Sequence, residues 1–273
     1  MPGTGGGQAL AKNGGDSGQT HDNLIRDQFT RQAAAFTAAA PISDAQALQL
    51  VVDAAQPRRD ADSLDVACGG GLIVCALAPH VRRAVGVDLT EAMLDRARAL
   101  AAERGLGNCS FQDGDARALP FPDGAFAAVT TRFSLHHMAD PLSVLREMVR
   151  VCRPGGHVVV ADMYASEVPA QAEAWNRLER MRDPSHVRAL SLSELSALFP
   201  AAALPAPETR FYELRDSVNN LLARSFPAEA DTPRIQEMFA AQVEQDTMGI
   251  EVRREGETLR YAYPVAVLSA ARV

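Results

Sequence analysis

The sequence has no run of basic residues, no C-x-x-C pair and no apolar stretch long enough to span a bilayer. Each absence removes a class of function. Phosphate neutralisation needs clustered Lys and Arg, and a net charge of −7 with no basic cluster argues against a nucleic-acid partner. A membrane span needs about 20 consecutive apolar residues, so no membrane partner is expected. Cys68, Cys75, Cys109 and Cys152 fall in or beside apolar runs and read as buried, reduced thiols. His21, His80, His136, His137, His157 and His186 are scattered, with no carboxylate–histidine spacing that makes a ligand set. No metal site is expected. Residues 1–20 are Gly-rich and polar, without an apolar segment behind a basic start. They read as a disordered tail, and the chain as a cytoplasmic protein.

What is present is strand–helix alternation. From Ser63 to Asp162 short β-rich runs alternate with helical patterns. Strands are expected at Ser63–Cys68, Arg83–Asp88, Asn108–Gln112, Ala125–Thr131 and Val158–Ala161, with Arg153-Pro154-Gly155-Gly156 as a break before the last. Helices are expected at Leu72–Pro79, from Thr90 as N-cap to Glu103, and from Asp140-Pro141 onward. Such alternation gives an α/β fold: a Rossmann-like, doubly wound, mostly parallel sheet, here of seven strands. The expected organisation is a tail over 1–20, a helical lid over 21–56 and a core over 57–165. A helical lid or substrate segment with one core strand follows over 166–250, and strands over 251–273 complete the sheet.

In an open α/β sheet, ligands bind at the carboxyl ends of the strands. The run Asp65-Val66-Ala67-Cys68-Gly69-Gly70-Gly71 occupies the first such corner. A dinucleotide fingerprint would need a third glycine where Val74 stands, which disfavours a nicotinamide or flavin cofactor. Asp88 ends the second strand, 19 residues after Gly69, where an acidic side chain accepts from the ribose hydroxyls of an adenosine. A plain turn aspartate capping the next helix is the alternative.

These residues resemble the class I SAM-dependent methyltransferase family (SAM, S-adenosyl-L-methionine), in its ubiquinone/menaquinone-biosynthesis-like, type 11 branch. Leu64 to Gly71 is similar to the family's first motif, with Ala67 in place of its first glycine, and Val87 to Thr90 to its second. Gly114-Asp115-Ala116 with Leu119 to Asp123 is similar to the adenine segment, and Leu145 to Gly156 to the helix and turn before strand five. The likeness covers roughly residues 25–165. It implies SAM as cofactor, with Ala67, Gly69 and Gly71 against the methionyl part and Asp65 near its ammonium. It further implies Asp88 on the ribose and Leu89 and Met93 beside the adenine. Gly114, Asp115 and Ala116 would meet its polar edge, and Arg132 and Phe133 would close over the methionyl group.

The chemistry expected is in-line methyl transfer to a small-molecule acceptor at O, N, C or S. The base candidates are His136 and His137, since an imidazole of pKa about 6.5 suits such proton removal. Each histidine equally suits a loop-tying role, and nothing in the sequence prefers one. In the segment from Arg182 to Arg188, a helix is expected to start at Pro184, with His186 and Arg188 as acceptor contacts; Arg188 equally suits a surface ion pair. Phe29 and Phe36 resemble a lid over the cofactor, or plain core. The alternative activities are a SAM-binding protein that runs a cyclisation or decarboxylation, and a non-catalytic binder. Oligomeric state is open.

Overall fold

Continuous apolar runs build the centre of the sheet. In the computed structural model, which describes residues 15–273, β1 (Asp62–Val66) is buried along its whole length and β4 (Phe126–Arg132) along all but its last residue. Strands buried on both faces belong in a parallel sheet covered by helices on each side. β2 (Arg83–Asp88), β3 (Cys109–Asp113) and β5 (Cys152–Met163) pair parallel with them, in the order β3-β2-β1-β4-β5. β8 (Thr258–Ala271) then pairs antiparallel with β5, and β6 (Glu208–Ser217) antiparallel with β8. The expected seven-stranded sheet has eight strands, because β7 (Glu251–Glu255) adds a hairpin partner on β8.

Local chemistry sets most boundaries. Helix α1 runs from Gly15 to Ala38 and α2 from Ala45 to Ala55, the latter capped by Asp44 accepting from the Ala47 N–H. α1 reaches into the expected tail, whose residues 1–14 lie outside the described residues. α3 (Leu72–Leu77) follows the glycine turn, and α4 (Glu91–Glu103) packs over β3. α5 (Pro141–Val151) starts at the Asp140 cap, accepting from Ser143 N–H, with proline at the first position. α6 (Pro169–Arg182), α7 (Leu192–Ala201), α8 (Val218–Ser225) and α9 (Thr232–Ala241) make up the second helical segment.

Three expectations are corrected. Thr90 does not cap α4 with its side chain: its Oγ1 is buried without a partner, and the Asp88 carboxylate accepts from the Thr90 N–H instead. Arg153–Gly156 lies within β5, where the chain shifts register against β4 and Arg272 of the C-terminal strand pairs with Gly155 and Gly156. No helix starts at Pro184. α6 ends at Arg182, and the Asp183 carboxylate accepts from the Ser185 N–H to form a turn. Among the described residues no helix is long and apolar enough to cross a membrane.

Candidate active site

The turn from β1 into α3 is strained by design of its sequence. Ala67, Gly69 and Gly71 all take positive φ, at +53°, +51° and +79°, where only glycine is free of steric cost. The Asp88 carboxylate holds this turn in place, accepting from the Gly69 N–H at 2.8 Å and from the Thr90 N–H at 2.9 Å. Desolvation raises the Asp88 pKa, and those two N–H groups oppose the rise.

Around the turn, at the carboxyl ends of β1, β2 and β4, lies a cavity of about 350 Å³, within the range of small-molecule sites. It brings together most of the residues singled out in the sequence: Asp65, Ala67, Gly69, Asp88, Leu89, Met93, Gly114, Asp115, Ala116, Arg132, Phe133, His137, Phe29 and Phe36. Gly71 is not among them. A Cβ there would stand 2.7 Å from Ala97 Cβ, so this glycine lets α4 pack against the turn. Gly70 lines the cavity instead, under Thr37 of α1, whose Oγ1 would lie 2.0 Å from a Cβ at that position. His21, Asp22 and Arg117 also line it and were missed. The first two both sit about two turns before Phe29 on α1, and that spacing was the available signal. Asp115 accepts from three nitrogens of Arg117, which lowers its pKa, and Arg117 also reaches Asp22 at 2.7 Å.

Asp65 is buried at the floor. Desolvation pushes its carboxyl up to about 7, against the Thr130 hydroxyl that donates to it at 2.7 Å and the charge of Arg132.

A second cavity of about 50 Å³ shares Phe29, Phe36, Ile42, Phe133 and His137 with the first. It continues to His136, Arg182, Asp183, Arg224, Tyr261 and Tyr263. The two histidines, 4.2 Å apart by ring centroid, have different partners. His136 Nδ1 lies 2.6 Å from Asp162 Oδ1, and the other oxygen of Asp162 accepts from the Leu135 N–H at 2.8 Å. His137 Nδ1 lies 3.0 Å from the Ser185 carbonyl. Desolvation, then the neighbouring His136, lower His137 to about 4.

His186 and Arg188 line neither cavity. His186 is buried with Nε2 on the Asn176 side-chain oxygen at 2.8 Å, and burial pushes its pKa far down. Arg188 pairs with Glu194 at 2.8 Å on the surface. Among the described residues no group of three His, Cys, Asp or Glu side chains stands close enough to hold a metal ion.

Residues 64–160 match the family described as a methyltransferase domain. The uncharacterized methyltransferase YcgJ of Bacillus subtilis is 32% identical over 246 residues, covering 89% of this chain and 97% of the relative. Its crystal structure superposes with a TM-score of 0.75 over 83% of this chain and 98% of that one. A demethylmenaquinone methyltransferase of Lactococcus lactis is 36% identical over 115 residues, 41% of this chain and 46% of that relative. Geranyl diphosphate C-methyltransferase of Streptomyces coelicolor, solved with S-adenosyl-L-homocysteine (SAH), is 19% identical over 89% of this chain and 84% of that one; its TM-score of 0.62 speaks for the fold.

Proposed function

The chain belongs to the class I SAM-dependent methyltransferases, with SAM as methyl donor, and from that premise we propose that it methylates a small molecule that meets the donor in the larger cavity on the side of His136 and His137. The observation that carries this reading is the pair of adjoining cavities. The larger is lined by the glycine turn and the acidic strand ends, the smaller by His136, whose ring is backed by Asp162, and by His137.

The larger cavity fits the donor. Gly69 and Gly70 leave the turn without side chains, and Asp88 faces the cavity at the end of β2. Asp88 would hold the ribose, Asp115 and Ala116 the adenine edge between Leu89 and Met93, and Asp65 the ammonium. SAM supplies an electrophilic methyl group when bound, so the protein's tasks are alignment and proton removal.

Proton removal falls to His136. Asp162 already accepts from the Leu135 and Met163 N–H groups, and as an acceptor toward Nδ1 it would direct the ring proton there and leave Nε2 as the free base. His137 has no carboxylate on its ring, and burial lowers its pKa to about 4, which leaves it a poor proton acceptor. The acceptor therefore carries an ionisable proton. It is not an anion, because the arginines facing the smaller cavity have their own counter-charges, Arg182 with Glu179 and Arg224 with Asp216.

The test is calorimetric titration with SAM and SAH, followed by SAH release in the presence of hydroxylated, amino and thiol acceptors. Asp88→Ala is expected to weaken SAM by about 100-fold, the loss of charge-assisted hydrogen bonds. With an acceptor in hand, His136→Gln is expected to lower kcat by about 10²–10⁴-fold with KM little changed. An unchanged kcat would remove His136 from this role, and acceptor turnover without SAH release would exclude methyl transfer.

A further inference from the structure

Asp183 is a buried carboxylate without a counter-charge. It directly follows α6 and is 2% exposed, yet among the described residues it forms no ion pair. Arg182 beside it is turned instead to Glu179 and the Ser225 hydroxyl. One oxygen, Oδ1, accepts from the Ser185 N–H at 2.9 Å and from the Ser185 hydroxyl at 2.5 Å. The other, Oδ2, meets the Gln32 amide at 3.4 Å, and that amide is shared with the Ser225 carbonyl at 3.3 Å. Burial opposes ionisation of Asp183, but charge on its neighbours, Arg182 among them, and the Ser185 donors outweigh burial and hold its pKa below the ordinary value. A desolvated carboxylate with one oxygen so weakly met is costly unless a cation completes it.

The space beside it suits that cation. Asp183 lines the smaller cavity and not the larger. Arg182 and Arg224 on the same wall each have an acid of their own, and Asp162 stands behind the His136 ring rather than on the wall. Among the described residues Asp183 is therefore the charged group that faces this cavity without a partner of opposite sign. Much of the remaining wall is aromatic, with Tyr261 and Tyr263, ring centres 4.4 Å apart, and Phe29, Phe36 and Phe133. Aromatic faces attract a cation as a carboxylate does. At about 50 Å³, the cavity has room for an ammonium and an adjoining carbon, against about 30 Å³ for one water in the liquid.

Resting on the acceptor reading above, we infer that the acceptor is an amine, and that Asp183 holds its ammonium group in the smaller cavity through Oδ2. The held group is not the atom methylated. A neighbouring carboxylate keeps an amine protonated, and an ammonium nitrogen has no lone pair to take a methyl group. The nucleophile is a separate proton-bearing atom, on the part of the molecule that passes His137, which lines both cavities, towards the donor. Asp183 is then a specificity residue that selects amines over neutral and anionic compounds of the same size.

The test uses the full chain loaded with SAH and three small probes of different charge: methylammonium, methanol and formate. Binding is read from the NMR signals of Ser185 and Gln32 at constant ionic strength. Methylammonium is expected to shift them saturably and to bind at least about tenfold more tightly than methanol, the lower end for a charge-assisted hydrogen bond. Formate is expected to leave them in place. That comparison needs no variant. D183N keeps an acceptor for the Ser185 donors and is expected to lose the preference for methylammonium, with SAH affinity within about twofold of the wild type as the control for folding. Methanol bound as tightly as methylammonium, or signals that do not respond to methylammonium, overturn the assignment, as does a D183N protein that keeps the preference. A chain that takes up no SAH overturns the donor reading instead. Once an acceptor is in hand, N-acetylation of its amine is expected to lower kcat/KM by at least about tenfold. An unchanged value overturns the amine assignment and leaves methyl transfer standing.

Discussion

Asp65 and His137 titrate in opposite senses. The folded Asp65 carboxyl, at about 7 against an ordinary 3.8, keeps a proton that the unfolded chain has released between those values. Its contribution to stability is therefore present at low pH and lost as pH rises through that window. Folded His137, at about 4 against an ordinary 6.5, stays neutral where the unfolded chain is charged, so its contribution is lost as pH falls through 6.5 towards 4. Removing one exposes the other. Thermal melts of Asp65→Asn are expected to gain on the wild type as pH rises from about 4 to 7 and to hold a constant lead above 7. A lead that does not change with pH would mean that Asp65 is ionised in the folded protein throughout. At the neighbouring turn, Ala67 occupies left-handed backbone at φ +53°. Ala67→Gly relieves that strain of about 1 kcal/mol but loosens the unfolded chain. The net expectation is a Tm rise of about 1–3 °C in a calorimetric scan.

Among the elements, α6 and α8 are tied to the sheet by buried charge. Glu179, fully buried on α6, pairs with Arg182 and accepts from the Tyr263 hydroxyl of β8 at 2.6 Å. Arg224 of α8 pairs with Asp216 and donates to the Tyr261 hydroxyl at 2.7 Å. Cutting one partner from a buried pair costs about 3–5 kcal/mol, because the other charge stays desolvated. Urea unfolding of Glu179→Gln should show a loss of that order, partly restored by Arg182→Met in the same chain. If the single variant is as stable as the wild type, the pair does not brace the lid. These ties also explain what could be read from the sequence. β2 and α4 fell at Arg83–Asp88 and Glu91–Glu103 because a strand-ending aspartate and Gly105 mark them locally. The turn at Asp183–Ser185 did not, since Gln32 of α1 and His137 hold it from far along the chain. Asp162 likewise reaches His136 from outside its local stretch, 26 residues away on β5, which is why the sequence does not distinguish the two histidines. Likewise Gly70 rather than Gly71 lines the cavity, because the approach of α4 to one and α1 to the other is a packing fact absent from the motif.

For the whole molecule, the question is how ligands enter, since α1 crosses both cavities. On the donor side Asp22 pairs with Arg117, and Arg26 donates to the Leu89 carbonyl. His21, also lining the larger cavity, meets the His137 carbonyl at 2.8 Å; farther along α1, Gln28 donates to the Ser225 carbonyl at 2.6 Å, and Gln32 reaches Asp183 at 3.4 Å. These contacts are polar rather than apolar, and those of Asp22 and Arg26 are exposed to solvent, which suits a helix that opens without unfolding the core beneath it. If α1 is the gate, weakening one tie should change rates more than structure. The Asp22–Arg117 pair is partly exposed, with side chains 21% and 41% accessible, so it is worth at most about 1 kcal/mol, or about fivefold. Asp22→Ala leaves Arg117 on Asp115 and removes only the link to the helix. It is expected to speed SAH dissociation in stopped flow by up to about fivefold, with hydrogen exchange faster in residues 21–32 of the free protein. Saturating SAH should restore that protection, because the ligand supplies a new surface for α1. Unchanged dissociation and exchange would place the route of entry elsewhere, at the opposite rim formed by Met138, Ala139 and Asp140, which also line the larger cavity.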